Sequence, residues 1–406
     1  MCSVSVRDST VRDRAGYGLF ASLYTTQFLG TAFFSTALAS ILRDRGVPLD
    51  RLGWLQAALM ISALRVLWAP VVDRIGAMSR GHYRMWLLVL QPLMAMTLAG
   101  LALVEPVRHL DLVLLAGLVT AALSATQDIA VDSIAVRLLR PEQHGVANGI
   151  QVAGGYVGSL VGGGVSLLVY DRWGWTATVL LIAALSVVPL LQLARLRETG
   201  AATALSLRAR YVAMFDVARL PRLRVWTLAV QPCCLAGIFA AYSLVGPMLV
   251  DAGWSLSEIG WVTSIAGDGV AIGGAVVAGV VVARVGAMPS LVLFGLLQVA
   301  AVLGLLPLAF GGGGSVSMAV AILVFKVAYA ASATVIGTVS MRLSRPELAG
   351  TDYSAMATAG ALVAFGAGAV ALWTAETVGY PATLLTSAGL ALTGVLAVRW
   401  VRAADS

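Results

Sequence analysis

The chain has 406 residues, 59% apolar and 12% charged, with a formal net charge of +7. Soluble domains run near ~45–50% apolar, and here the surplus falls in runs of about 20 residues, long enough to cross a ~30 Å hydrocarbon core as a helix. This excludes a soluble enzyme, a nucleic-acid-binding domain and, with only Cys2, Cys233 and Cys234 and no Cys-x-x-Cys or Cys/His spacing, a disulfide framework or metal site.

From the N-terminus, Met1–Arg14 is charged and lacks an apolar core, so no cleavable signal is expected. Twelve apolar segments follow, near 17–41, 52–71, 85–104, 112–136, 146–170, 174–194, 225–249, 257–282, 289–310, 317–341, 352–374 and 381–398. Each reads as a membrane-spanning helix. Most of the ten tryptophans, Trp173, Trp175, Trp226 and Trp261 among them, fall at segment ends, where interfacial belts form. With the N-terminus inside, 20 arginines lie on inner segments and five on outer loops. That asymmetry predicts that both termini are cytoplasmic. The longest loop, 195–224, carries seven arginines and separates six segments from six.

The halves repeat. Arg45–Trp54 (RGVPLDRLGW) aligns with Ala252–Trp261 (AGWSLSEIGW), Val71–Met78 (VVDRIGAM) with Val281–Met288 (VVARVGAM), and Arg137–Glu142 (RLLRPE) with Arg342–Glu347 (RLSRPE). Two parallel six-helix repeats joined by a basic loop resemble the major facilitator superfamily over the whole chain. Asp73–Gly76 with Arg80 and Arg84 resembles that family's loop signature between its second and third helices. The expectation is an all-α membrane protein of 12 transmembrane helices, built as two six-helix bundles over 1–194 and 225–406, with 195–224 as a cytoplasmic basic linker. The resemblance implies a monomeric secondary transporter, not an enzyme. His82, His109 and His144 offer no nucleophile–base arrangement, and no nucleotide or other cofactor motif appears.

Charges inside the apolar segments are the candidate site. The fourth segment carries Gln127, Asp128 and Asp132, and the two acids, four apart, share one helix face. An unpaired acid at the bilayer centre costs ~2.5–3.5 kcal/mol on insertion scales, so such acids mark function. In the repeat, Asp128 aligns with Ala333 and Asp132 with Gly337, so the acids are absent from the duplicated scaffold. Arg65 lies eight residues before Asp73 and Asp128 nine before Arg137, which puts them at nearly equal depth. These helices are neighbours in the superfamily, so an Arg65–Asp128 pair is expected, with Asp132 meeting Arg74 or Arg80. That second pairing resembles the superfamily's gate latch, formed with Asp73. Asp268 and Lys326, the only lysine, make a second candidate pair. A buried lysine shifts its proton equilibrium readily. Both pairs also admit a purely structural reading. Gln27 and Gln231 occupy similar repeat positions on helices that line the superfamily's cavity, and with Gln127, Tyr24, Tyr329 and Lys326 they are candidate substrate contacts. Gly145, Gly154, Gly158, Gly162 and Gly163 resemble an exporter signature, but that spacing also serves helix packing alone.

Ala125–Asp132 (ATQDIAVD), followed by Leu138–Glu142, resembles the superfamily branch holding the AmpG muropeptide permeases, acetyl-CoA transporters and RhtX/FptX siderophore importers. Leu64–Arg74 and Gly81–Leu88 resemble the siderophore importers. This implies proton-linked import of a ferri-siderophore across the inner membrane, with a muropeptide or metabolite permease, or a drug exporter, as the alternatives.

Overall fold

The computed structural model describes residues 5–47, 59–75, 81–194, 198, 205–312 and 314–403, and every regular element among them is helical. In chain order the main helices are α1 (Ser5–Ala32), α2 (Ala69–Arg74), α3 (His82–Gly100), α4 (Leu110–Leu138), α5 (His144–Ser159) and α6 (Ser166–Leu193). They continue with α7 (Gln231–Asp251), α8 (Gly267–Val285), α9 (Ala287–Leu303), α10 (Ser315–Leu343), α11 (Ala349–Val378) and α12 (Tyr380–Ala403). Among the described residues nine helices are long and apolar enough to cross a membrane. One of these, His144–Leu193, is 50 residues long and turns at Gly174 (φ 77°), so it carries two of the expected crossings. Short helices Leu207–Met214, Asp216–Arg219 and Pro221–Val225 occupy the basic 195–224 stretch.

Local sequence explains the irregular pieces. Ahead of α2 the chain is 3₁₀ over Met60–Leu67. Pro70 has no N–H to give the carbonyl of Val66 and its ring crowds that turn, so the regular ladder restarts at Trp68, which accepts from both Val71 and Val72. Arg65 therefore sits in the tighter register. Single π-helical turns interrupt the chain at Phe33–Leu38, Leu160–Val165, Trp226–Val230 and Trp261–Ala266.

The chain divides into two compact units. The first gathers 1–138, 154–207 and 346–351; the second gathers 139–153, 208–345 and 352–406. The helix pairings repeat between them. In the first unit α3 packs on α4 and α6, α1 on α6, and the 3₁₀ stretch before α2 on α4. In the second, α9 packs on α10 and α12, α7 on α12, and α8 on α10. These are the same four pairings displaced by half the chain.

Lipid tails are as apolar as leucine, so close packing holds such helices together more than the hydrophobic effect does. The glycines serve that packing. A Cβ at Gly158 would stand 2.6 Å from the Thr25 carbonyl oxygen, and one at Gly162 would collide with the Leu29 carbonyl oxygen. The glycines of α5 and of the π-helical turn after it thus let α1 lie backbone against backbone. In the second unit a Cβ at Gly237 would stand 2.6 Å from the Ser387 carbonyl oxygen, which gives α7 and α12 the same close approach. The tryptophan pattern divides. Trp173 and Trp261 are exposed, as a belt requires. Trp226 is fully buried and donates to Ser340 Oγ at 2.9 Å, and Trp175 is buried and donates to the Leu101 carbonyl at 2.8 Å. Those two belong to the cores, because each indole N–H finds a partner inside its unit.

Replacing Gly158 by Leu should push α1 off α5 and cost about 1–3 kcal/mol or more, as overpacking does. The purified variant's thermal unfolding midpoint, set beside that of Gly164→Leu, where a Cβ meets nothing within 4 Å, checks this.

Candidate functional site

In the first unit the polar residues of α4 turn inward. Asp128 is 5% exposed, Asp132 1% and Gln127 0%. Arg65 forms an ion pair with Asp128 through Oδ2, while Gln27 Nε2 donates to Asp128 Oδ1 at 2.6 Å. Three elements thus meet on one carboxylate: α1, the 3₁₀ stretch and α4. The Asp128 contact also orients the Gln27 amide, since the opposite flip would set oxygen against carboxylate. Gln27 Oε1 is then buried without a hydrogen-bond partner among the described residues. Such an orphan acceptor costs roughly 1–3 kcal/mol unless something donates to it.

Asp132 accepts from the Tyr24 hydroxyl at 2.8 Å. Arg74 is exposed at the end of α2, so the expected Asp132–Arg74 pairing gives way to one with α1, and Arg80 lies outside the described residues. Tyr24, expected on a cavity wall, is instead fully buried as this donor. Gln127 is engaged at both ends, donating to the Leu23 carbonyl at 2.8 Å and accepting from Gln91 Nε2 at 2.8 Å. It bridges α4 to α1 and α3. In the second unit Gln298 makes the corresponding link directly, donating to the Cys234 carbonyl on α7 at 2.8 Å.

Asp73, the acid of the loop signature, is buried and accepts four hydrogen bonds within the first unit. They come from the Tyr83 hydroxyl (2.8 Å), the Gly350 and Thr351 N–H groups (3.1 and 2.8 Å) and the Thr351 hydroxyl (2.6 Å). Gly350 and Thr351 open α11, whose first N–H groups lack intrahelical acceptors and carry the positive end of the helix dipole, so a carboxylate there is stabilised. Neither Tyr83 nor Thr351 was legible in the sequence, because a hydroxyl in an apolar run has no signature of its own. The same holds for Glu198, which accepts from the Tyr83 and Arg84 N–H groups at the start of α3 (2.9 and 2.8 Å). Arg345 of the repeated Arg-Pro-Glu grips both oxygens of Asp352 (2.8 Å each) and reaches Asp216 at 2.9 Å.

In the second unit Lys326 Nζ donates to Asp268 Oδ1 at 2.8 Å, joining α10 to α8. Its ammonium also stands 5.2 Å from the Tyr242 ring centre, and Tyr329 packs on the same ring at 5.2 Å. A cavity of about 220 Å³ opens beside this group. Gln231 is buried at the start of α7 with its Oε1 unpartnered among the described residues, and it does not line that cavity.

Residues 20–369 match the family model described as Major Facilitator Superfamily. The chain belongs to the Major Facilitator Superfamily. It is 26% identical to the anhydromuropeptide permease of Escherichia coli (strain K12) over 373 residues, 91% of this chain and 76% of that protein. In fold it matches FucP, a superfamily transporter crystallised in the outward conformation, with a TM-score of 0.74 at 14% identity, covering 95% of this chain and 98% of that one. It matches the human organic anion transporter MFSD10 equally well, at 17% identity over 95% and 99% of the two chains. Among these superfamily members the chain is a membrane transporter with a small-molecule substrate, in a family of permeases that are generally not enzymes.

Removing the Tyr24 hydroxyl (Tyr24→Phe) should cost about 1.5–3 kcal/mol, the range for a hydrogen bond to a charged group. In an Asp132→Asn background the cost should fall to about 1 kcal/mol. A double-mutant cycle on thermal or denaturant unfolding in detergent measures the difference.

Proposed function

We propose that the chain is a proton-linked importer of the inner membrane that takes up an anhydromuropeptide or a closely related cell-wall metabolite by alternating access. In this reading both termini are cytoplasmic, as the arginine asymmetry favours, and the monomer is the working unit. One observation carries it. A buried Asp128–Arg65–Gln27 cluster occupies half of a duplicated scaffold, in a chain resembling an anhydromuropeptide permease over 91% of its length.

Asp128 is the coupling residue. Ionised, it holds Arg65 and Gln27 and ties three elements together. Protonated, it loses the charge that holds Arg65, and those elements are released from one another. A group whose charge state changes what α1 is bound to can link proton movement to a conformational step. Gln27 is a substrate contact, since its orphaned Oε1 suits an amide N–H or hydroxyl of the ligand. Asp73 is the gate, in a loop signature that also carries Arg74 and Arg80 in sequence: its hydrogen bonds to α3 and the head of α11 are strong enough to hold a state and individually weak enough to break.

Ferri-siderophore import is the second reading, favoured by the likeness of Leu64–Arg74 and Gly81–Leu88 to the siderophore importers. One strain decides between them. In cells lacking this chain, anhydromuropeptides should accumulate in the medium, and the wild type should restore their uptake. Asp128→Asn should reach the membrane at normal level yet restore less than a tenth of that uptake. Normal uptake by Asp128→Asn removes the coupling role. If growth on one ferri-siderophore is lost instead, with cell-wall fragments unaffected, the second reading replaces the first.

A further inference from the structure

The position of the Lys326–Asp268 pair is not shared by the repeat. Lys326 aligns with Ala121 in the first half, where the corresponding contact carries its ion pair elsewhere along α4, at Asp128 and Arg65. The repeated scaffold therefore does not fix a charge at this position, and the pair brings the desolvation cost of two ions. Its lysine also lines a cavity, with Asp268 hydrogen-bonded behind it. The walls are Tyr242 and Val245 of α7, Thr263 of the π-helical turn before α8, and Phe325 and Lys326 of α10, around about 220 Å³. That is well beyond the ~10–15 Å³ one water needs. Lys326 is 5% exposed, and Tyr242, which faces its ammonium, is 42% exposed. The site joins one positive charge, one exchangeable carboxylate, a hydroxyl and stacked aromatic faces.

We infer that this cavity is a carboxylate-exchange site. A ligand carboxylate replaces Asp268 on the Lys326 ammonium, and Asp268 takes up a proton as it leaves. The balance is simple. Before exchange the site holds one ammonium and one carboxylate. Afterwards it holds the same ammonium, the ligand carboxylate and a neutral Asp268 carboxylic acid. The ion pair to Asp268 is broken, one O–H bond forms on Asp268, and one proton enters with each ligand carboxylate. The site is neutral in both states, which avoids an uncompensated charge in the membrane. The Tyr242 and Phe325 rings take the apolar flank of the ligand. The ligand class is a monocarboxylate carrying a sugar ring or another group with a flat apolar face. This rests on the transporter reading above and adds a second proton-linked group, separate from Asp128.

Other titratable groups do not obscure the test. Tyr242 on α7 faces the ammonium, and Tyr329 on α10 packs on the Tyr242 ring. Asp251 at the end of α7 is held by the Tyr380 hydroxyl, and Glu258 by Ser255. The helix α9, which also packs on α10, carries no ionisable side chain.

Two probe pairs that differ in a carboxylate give the experiment: N-acetylmuramic acid against N-acetylglucosamine, and N-acetyltyrosine against its amide. Binding is measured calorimetrically on the purified chain in nanodiscs at about pH 6 and pH 8. An acid should bind about 10-fold or more tightly than its neutral partner, as charge-assisted hydrogen bonds do. It should bind more tightly at the lower pH, since a proton is taken up. Asp268→Asn should strengthen acid binding at pH 8 and abolish its pH dependence, the reverse of what a merely structural pair predicts. The charge-neutral double variant Asp268→Asn/Lys326→Gln should lose the discrimination while remaining folded. Equal binding of acid and neutral forms, weaker acid binding by Asp268→Asn, or no binding of either acid overturns the inference. If only N-acetyltyrosine discriminates, the exchange site stands and the cell-wall reading fails. If N-acetylmuramic acid binds the double variant as well as the wild type, the cell-wall reading stands and the exchange site falls.

Discussion

A carboxylate taken out of water must find its counter-charge and its hydrogen bonds within reach, and Asp128 imposes that demand on the first unit. The chain meets it with Arg65 on one oxygen and Gln27 on the other. Arg65 reaches it from a 3₁₀ stretch that exists because Pro70 cannot continue the ladder into the preceding turn. Gln27 is brought close because α1 lies tight against α5 and the π-helical turn after it, where Gly158 and Gly162 leave no side chain in the way. The charge cluster therefore depends on the glycine stripe. The stripe sets the place of α1, and the cluster uses that place.

The two units share their pairing plan and differ in their polar content. Four helix pairings recur half a chain apart. Gln91 and Gln298 occupy comparable places on α3 and α9, and each links, directly or through Gln127, to the backbone of the first helix of its unit. These recurring bonds are scaffold. Asp128, Asp132 and Arg65 occur in one unit only, and Asp268 and Lys326 in the other only. Helices in lipid associate through shape and small residues, so a duplicated scaffold keeps its fold while its charges diverge. That separation is the physical reason to seek chemistry at the unshared positions.

Much of the candidate site was legible before any coordinates. Depth counting paired Arg65 with Asp128 and Asp268 with Lys326, because a helix rises a fixed distance per residue and a membrane gives every helix the same zero. For Asp132 it offered Arg74 or Arg80, of which Arg74 is exposed and Arg80 lies outside the described residues, because counting gives depth but not rotation about the helix axis. The Tyr24 hydroxyl of α1 donates to Asp132 instead of lining a cavity. The same limit applies to Trp175 and Trp226, which lie at segment ends in the sequence and in the cores in space.

By itself the sequence determined the membrane class, the segment lengths, the repeat and the depth of each charge, since all of these are set by composition and spacing along one axis. Only the tertiary structure decided which partners the polar groups take. Asp73 meets the head of α11 nearly 280 residues away, Glu198 caps α3 from beyond α6, and Arg345 reaches back to Asp216. Hydrogen bonds are short and directional, so they are fixed by how helices turn and tilt against one another, which composition and spacing do not encode.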